Sequence, residues 1–328
     1  MMVRLSILEQ SAISAGETAE MALQHTLSLV MEAEQLGFHR FWVAEHHNTA
    51  GLAGSSPEVI MSHLAAVTKT IKVGSGALLL PQYSPLKIAE NFLTLEAMFP
   101  GRVDLGIGRS PGGDAATRLA LTDGLRKSLS EFPRQVDELK RYLGNDPVHK
   151  VTAFPSIDRQ PQVWLLGTSV KGAKLAAEKG LAFTFGHFLY PAAGKQAIST
   201  YKAEFRATPY QKKPQHMVCV FVVCAKTEEQ AEKLALSQDI WLLRVEKGEN
   251  SRIPSYSEAV QYPLSVRDRE KISHNRSRMI IGTPKKVKAE LNALSQRYEC
   301  NEFLILTNLH RFEDKLQSFQ LLAKELIS

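Results

Sequence analysis

A chain of 328 residues with 44% hydrophobic and 23% charged residues is long enough for one large α/β domain or two ordinary ones. Its net charge of +6 is spread along the chain, with one modest cluster at Lys285, Lys286 and Lys288, which excludes the concentrated basic stripe of a nucleic-acid-binding module. Three scattered cysteines, Cys219, Cys224 and Cys300, are too few for a disulfide framework or a four-ligand zinc site, and no uncharged apolar run reaches the length of a membrane span.

The opening residues MMVRLSILEQ meet Glu9 and Gln10 too early for a secretory leader, so a cytoplasmic protein is expected. The first strand reads VRLSILE (3–9), and a helix over about 18–36 follows it, closed by Gly37. RFWVAE (40–45), KVGSGALLL (72–80) and RVDLGIG (102–108) are the second to fourth strands. QVWLLG (162–167), LAFTF (181–185) and HMVCVFVVCA (216–225) follow, and EFLILT (302–307) is the eighth, before a last amphipathic helix. Ser56-Pro57, Ser84-Pro85 and Thr283-Pro284 predict helix starts, each with a hydroxyl at the N-cap to accept a backbone N–H and proline at the first helical position.

Two connections are long, 109–122 and 247–278, and structureless stretches of that length read as lids or binding loops. Eight strands, each followed by a helix and several nearly continuously apolar, predict a single α/β domain over 1–328. The expected architecture is a (β/α)8 TIM barrel with long insertions after strand four and between strands seven and eight. No G-x-G-x-x-G follows the first strand, which leaves a dinucleotide-binding open sheet the poorer reading.

In such a barrel the carboxyl ends of the strands form the active face. Glu45, His46 and His47 end strand two. Adjacent residues on an extended chain point to opposite sides, and no H-E-x-x-H spacing is present, so no metal site is expected there. An imidazole at this place suits proton transfer near neutral pH. Which of the two histidines faces the cavity stays open on sequence. Arg109 ends the glycine-rich run LGIGR before Pro111, Gly112 and Gly113, where a guanidinium can fork onto a phosphate; the plainer reading is a salt bridge across the barrel mouth. Thr168 and Ser169 open a helix whose first N–H groups can cradle an anion, with Lys171 nearby, although Ser169 is equally a plain N-cap. Gly74-Ser75-Gly76-Ala77 interrupts strand three, as a close ligand or a packing adjustment would require.

The segments GFHRFWVAEHHN, VGSGALLLPQYSPLKIAENFLTLEAMFPGRVDLGIGRSPGG and VWLLGTSVKGAKLAAEKGLAF resemble the bacterial luciferase-like flavin monooxygenases, in their small single-gene branch. The likeness runs without large gaps from strand one to Phe185, loosens, and returns at IGTPKKV and in strand eight. It implies a TIM barrel that binds reduced FMN (FMNH2) supplied by a separate flavin reductase. With O2, a C4a-peroxyflavin would then oxygenate a small organic substrate. A homodimer is also implied, with neither nucleic acid nor membrane as partner. Position by position, His46 matches the family's catalytic histidine, and Gly76 and Ala77 a non-prolyl cis peptide under the flavin ring. Arg109 matches the arginine at the flavin phosphate, and Thr168 and Ser169 the phosphate-binding turn. Tyr83, His187 and Phe188 are candidates for the substrate wall. Gly167 stands where luciferase-type chains often carry an acidic residue, which leaves some ribityl or ring contacts open. Alternatives are a deazaflavin (F420)-dependent hydride-transfer oxidoreductase in the same superfamily and a flavin-binding protein without turnover. A phosphosugar aldolase or isomerase would want a strand-end lysine or paired carboxylates, which the strand ends lack.

Overall fold

In the computed structural model, which describes residues 3–110 and 112–327, the apolar runs form nine parallel strands. They are β1 (Arg4–Glu9), β2 (Arg40–Val43), β3 (Lys72–Ser75), β4 (Val103–Ile107), β5 (Gln162–Gly167), β6 (Ala182–Gly186), β7 (His216–Cys224), β8 (Met279–Gly282) and β9 (Glu302–Leu306). Strands β1 to β7 and β9 pair in a closed ring, β6 with β7 and β9 with β1, with helices between them: a (β/α)8 TIM barrel. Among the described residues no helix is long and apolar enough to cross a membrane.

The sequence reading needs four corrections. The expected eighth strand is β9, and β8, just past the 247–278 connection, is a strand that the sequence pattern does not predict. β8 pairs with the last four residues of β7, and Phe221 takes partners on both β8 and β9, so β8 continues the edge that β6 begins and raises the wall at the carboxyl rim. Strand three stops at Ser75, not at residue 80; Leu78, Leu79 and Leu80 are apolar because they are buried, while Leu80–Gln82 is a 3-10 turn. The two long connections are largely helical, holding Ala115–Leu121 in the first and Tyr256–Gln261 and Val266–Arg276 in the second. Pro111 in the first lies outside the described residues. Finally, none of the Ser56, Ser84 and Thr283 hydroxyls caps its helix, although proline opens each. With proline supplying no N–H and a preset φ, the backbone carbonyl of the cap residue starts the ladder alone, as in Ile88 N–H to Ser84 O at 3.1 Å. Hydroxyl caps do form on helices without that proline, at Thr18, Ser169 and Thr227.

The lower barrel is closed by charge as well as by apolar packing. Arg40, 2% exposed, donates to Asp104 Oδ2 at 2.6 Å and to Glu302 Oε1 at 2.7 Å, and its guanidinium lies 4.8 Å from the centre of the Trp164 ring. Ser6 Oγ and Trp42 Nε1 donate to the same two carboxylates. Burial opposes the charge on Arg40, but Asp104 and Glu302 outweigh it and hold the guanidinium above its ordinary range. Trp42 and Trp164 meet edge to face at 5.5 Å above this floor. Gly74 and Gly76 leave them room: a Cβ on Gly74 would sit 2.4 Å from Trp42 Nε1, and one on Gly76 2.5 Å from Leu8 Cδ1.

Removing one member of a buried ion cluster strands the others. Arg40→Met should therefore lose about 3–5 kcal/mol of unfolding free energy, read as a lower urea midpoint. A loss within about 1 kcal/mol, the range of exposed pairs, would contradict the sealed floor.

Candidate functional site

Glu45, His46 and His47 leave the carboxyl end of β2, where Gly54 O accepts the His46 N–H at 2.8 Å. Glu45 is fully enclosed. Its Oε2 accepts the Leu79 N–H at 2.8 Å, and its Oε1 accepts from His47 Nε2 at 2.7 Å and from the Tyr83 hydroxyl in a short bond. Burial raises the Glu45 carboxyl above its usual range, partly offset by these donors, and burial beside Glu45 raises the Tyr83 phenol. His46 is different. Its Nδ1 is buried without a partner among the described residues, and burial, with His47 adding, pushes its titration down to about 4. The His46 imidazole is therefore neutral at neutral pH, while His47 is tied to a carboxylate.

Past Ser75 the backbone passes through a cis peptide between Gly76 and Ala77, at the positions where the resemblance placed one. Pairing with β4 then resumes for one step: Leu78 N–H donates to Gly106 O at 2.8 Å, and Gly108 N–H donates to Leu78 O at 2.9 Å. The Ser75 hydroxyl bridges the Gly106 N–H and C=O. A Cβ on Gly106 would lie 2.0 Å from Ser75 O, and one on Gly108 3.1 Å from the Ala77 Cβ. Glycine at these two positions of LGIGR thus serves the close approach of strand four to the turn, and puts Arg109 directly beyond Ala77.

Arg109 is exposed and has no hydrogen bond or ion pair among the described residues, so the salt bridge of the plainer reading is absent there. Thr168, half-buried at the end of β5, has no hydrogen-bond partner for its hydroxyl among the described residues, and its methyl group would touch a Cβ on Gly186 at 3.1 Å. Ser169 caps the helix Val170–Lys179, accepting the Gly172 N–H at 3.2 Å, which leaves its own hydrogen free to donate. The cap reading of Ser169 and the anion reading are compatible.

His187 is buried with its Nδ1 2.8 Å from the Tyr298 hydroxyl, on the side where Phe185 also meets Tyr298. Its ring packs edge-on to Tyr298 at the end of the helix Pro284–Tyr298. Phe188 stands edge-on to Phe221 at 5.2 Å, against the rim that β8 extends. Tyr83 is bound through its hydroxyl to Glu45.

Both long segments land on the loop after His47. Asn48 Nδ2 donates to Thr117 Oγ1 at 3.1 Å, while Asn250 Oδ1 accepts the Ala50 N–H at 2.5 Å. Ile253 then pairs with Ile13 and Ala15, and Gly51 is pressed so close that a Cβ would lie 2.2 Å from Ser251 O. Lys127 Nζ reaches the carbonyls of Gln82 and Tyr83 at 3.2 and 3.4 Å from the far side of the turn. Sequence reasoning did not find Lys127, the Asn250 strap or the hub role of Glu45. The helical parts of the second segment were legible in Ser255…Glu258 and Ser265…Asp268, which form capping boxes.

Residues 2–298 match the family model described as luciferase-like monooxygenase. The Bacillus subtilis protein YceB is 47% identical over 98% of this chain and 99% of its own length. N-acetyl-S-alkylcysteine monooxygenase of the same organism is 37% identical over 100% of this chain and 99% of its own. The crystal structure of apo-MsnO8 superposes with a TM-score of 0.92 at 34% identity, covering 98% of each chain.

His46 and His187 both titrate near 4, burial being the first cause in each, against 6.5 for an unperturbed imidazole. Between pH 6.5 and 4 the unfolded chain binds more protons at these sites than the native one, so stability rises with pH and drains away as pH falls through that window. The slope of Tm against pH over this window should be shallower in His187→Phe than in the wild type, whatever the absolute Tm. Equal slopes would show that His187 charges freely in the fold.

Proposed function

The chain belongs to the luciferase-like monooxygenase family, and on that premise we propose that it takes reduced FMN from a separate reductase and uses O2 to oxygenate a small organic substrate. The observation that carries this reading is His46: a neutral imidazole whose Nδ1 is buried without a partner among the described residues, two strands away from an Arg109 that is likewise unpaired among them. A buried polar atom without a partner is costly in a protein with no ligand and is well used by one that holds or passes a proton beside a bound ligand.

The residues fit a flavin mononucleotide. Arg109 would fork onto the phosphate, and the Thr168 and Ser169 hydroxyls, with the first N–H groups of the helix Val170–Lys179, would complete its cradle. Gly76 and Ala77 would form the floor under the ring. When bound, the reduced cofactor would supply the electrons and the atom at which O2 is activated. His46 would hold or deliver one proton at Nδ1, a task for which an uncharged, buried imidazole is prepared. Trp42, Leu8 and the strap at 250–253 would keep water out from below and from the side. We further propose a cytoplasmic homodimer of about 73 kDa, twice the 36.5 kDa chain. A thioether of the kind named for the 37% relative is the first substrate to try.

Four measurements test the reading. Protein loaded with FMNH2 and mixed with O2 should oxidise its flavin more slowly than free FMNH2 does; equal rates would sink the monooxygenase reading. Arg109→Ala should weaken FMN at least about tenfold, or ~1.4 kcal/mol, and leave riboflavin affinity unchanged, whereas equal loss for both would remove the phosphate contact. His46→Ala should keep FMN affinity while product formation falls by about 10²-fold or more, the usual worth of a positioned acid or base. Tighter binding of a deazaflavin cofactor than of FMN would overturn the choice of cofactor.

A further inference from the structure

Glu45 is the acceptor at which three stretches of chain meet. Its side chain has no solvent exposure, and among the described residues no Lys or Arg forms an ion pair with it. Its partners are instead a backbone N–H from Leu79, the Tyr83 hydroxyl and His47 Nε2. Leu79 lies just past the Gly76–Ala77 peptide, and Tyr83 closes the Leu80–Gln82 turn. One carboxyl group therefore ties both ends of that turn to the run-out of β2. His46 sits between Glu45 and His47, and with both neighbours pinned the backbone has little freedom to redirect its ring. The Leu79 N–H would otherwise be a buried donor without an acceptor, since the ladder with β4 ends at Leu78.

We propose that Glu45 is a positioning residue: through Leu79, Tyr83 and His47 it holds the 77–83 turn against β2 and so fixes where His46 presents its imidazole. This rests on the flavin reading only for the identity of the ligand; the clamp itself belongs to the flavin-free protein. Geometry, not charge, is what the carboxyl group supplies. An amide can remake all three contacts, its oxygen accepting from Leu79 and its NH2 donating to Tyr83 and to the other tautomer of His47. An alanine can remake none.

The test is a histidine-ring NMR titration of the flavin-free protein as wild type, Glu45→Ala and Glu45→Gln. His47 and Tyr83 are the titratable groups facing Glu45, Glu58 acts on Tyr83 from the next helix, and a His47→Gln control removes the neighbouring imidazole that acts on His46. Loss of a nearby anion alone would lower the His46 midpoint. An upward shift of about one unit or more in Glu45→Ala therefore reads release of the turn, and Glu45→Gln, which loses the anion but keeps the contacts, should not rise above the wild type. FMN, followed by fluorescence quenching, should bind about tenfold more weakly to Glu45→Ala. An unmoved His46 midpoint in folded Glu45→Ala overturns the clamp, even where FMN binds normally. Glu45→Gln behaving like Glu45→Ala overturns positioning in favour of a charge role. Wild type that binds no FMN sinks the flavin reading and leaves the titration to decide the clamp. Should Glu45→Ala not fold, Tyr83→Phe removes one donor and should move His46 the same way by less; no movement there overturns the proposal.

Discussion

A guanidinium sealed inside a barrel must be answered by carboxylates, and that requirement sets the level of the structure above it. Arg40 draws Asp104 of β4 and Glu302 of β9 into one cluster with Ser6 of β1, while its planar face covers Trp164 of β5. Five of the eight ring strands are thereby tied at one height. A slip of one residue in any of them would turn its inward group outward, because strand side chains alternate. Exposing or stranding a buried charge is far costlier than misplacing a leucine. The register of the strands, and hence the height at which their carboxyl ends open, is fixed from below.

The consequence travels upward through size. Two indoles stacked edge to face on the floor fill the lower barrel, so the chain carries glycine at Gly74 of β3 and at Gly76 just past its end, where any Cβ would collide with Trp42 or Leu8. β4 carries glycine at Gly106 for a different reason, because Ser75 O occupies the place of its Cβ. Between these glycines the chain of β3 leaves the ladder, and the turn over 77–83 is free to be held by side chains from β2. The rim is thus the place where backbone pairing stops and Glu45 takes over.

The ring was legible because each of its eight strands is an apolar run bounded by turn residues, and because the alternation with helices has few competing folds. What misled is equally physical. Hydrophobicity reports burial, so Leu78 to Leu80 read as strand although they lie in and before a turn. β8 was missed because its four residues stand directly before Thr283-Pro284, and a helix start so close leaves little room for a pattern. Of the candidate site, His46, Arg109, Thr168 and Ser169 all stand at carboxyl ends of strands, which periodicity alone could place. The partner of each was not readable. Nothing in WVAEHHN says that Glu45 reaches Leu79 and Tyr83, more than thirty residues away, or that His187 turns to Tyr298, 111 residues away.

That difference between the two neighbouring histidines follows from one carboxylate. In an extended run Glu45 and His47 lie on the same side and His46 on the other. Once Glu45 is buried and needs donors, His47 is its nearest one, and Nε2 is committed to a carboxylate that accepts only. His46, on the opposite side, is left with a buried Nδ1 that no group among the described residues answers. The same strand end therefore makes one imidazole structural and keeps the other available, without any special property of either residue. Both long segments then anchor on Asn48 to Gly51, so the chain directly after the available histidine is also where those segments rest.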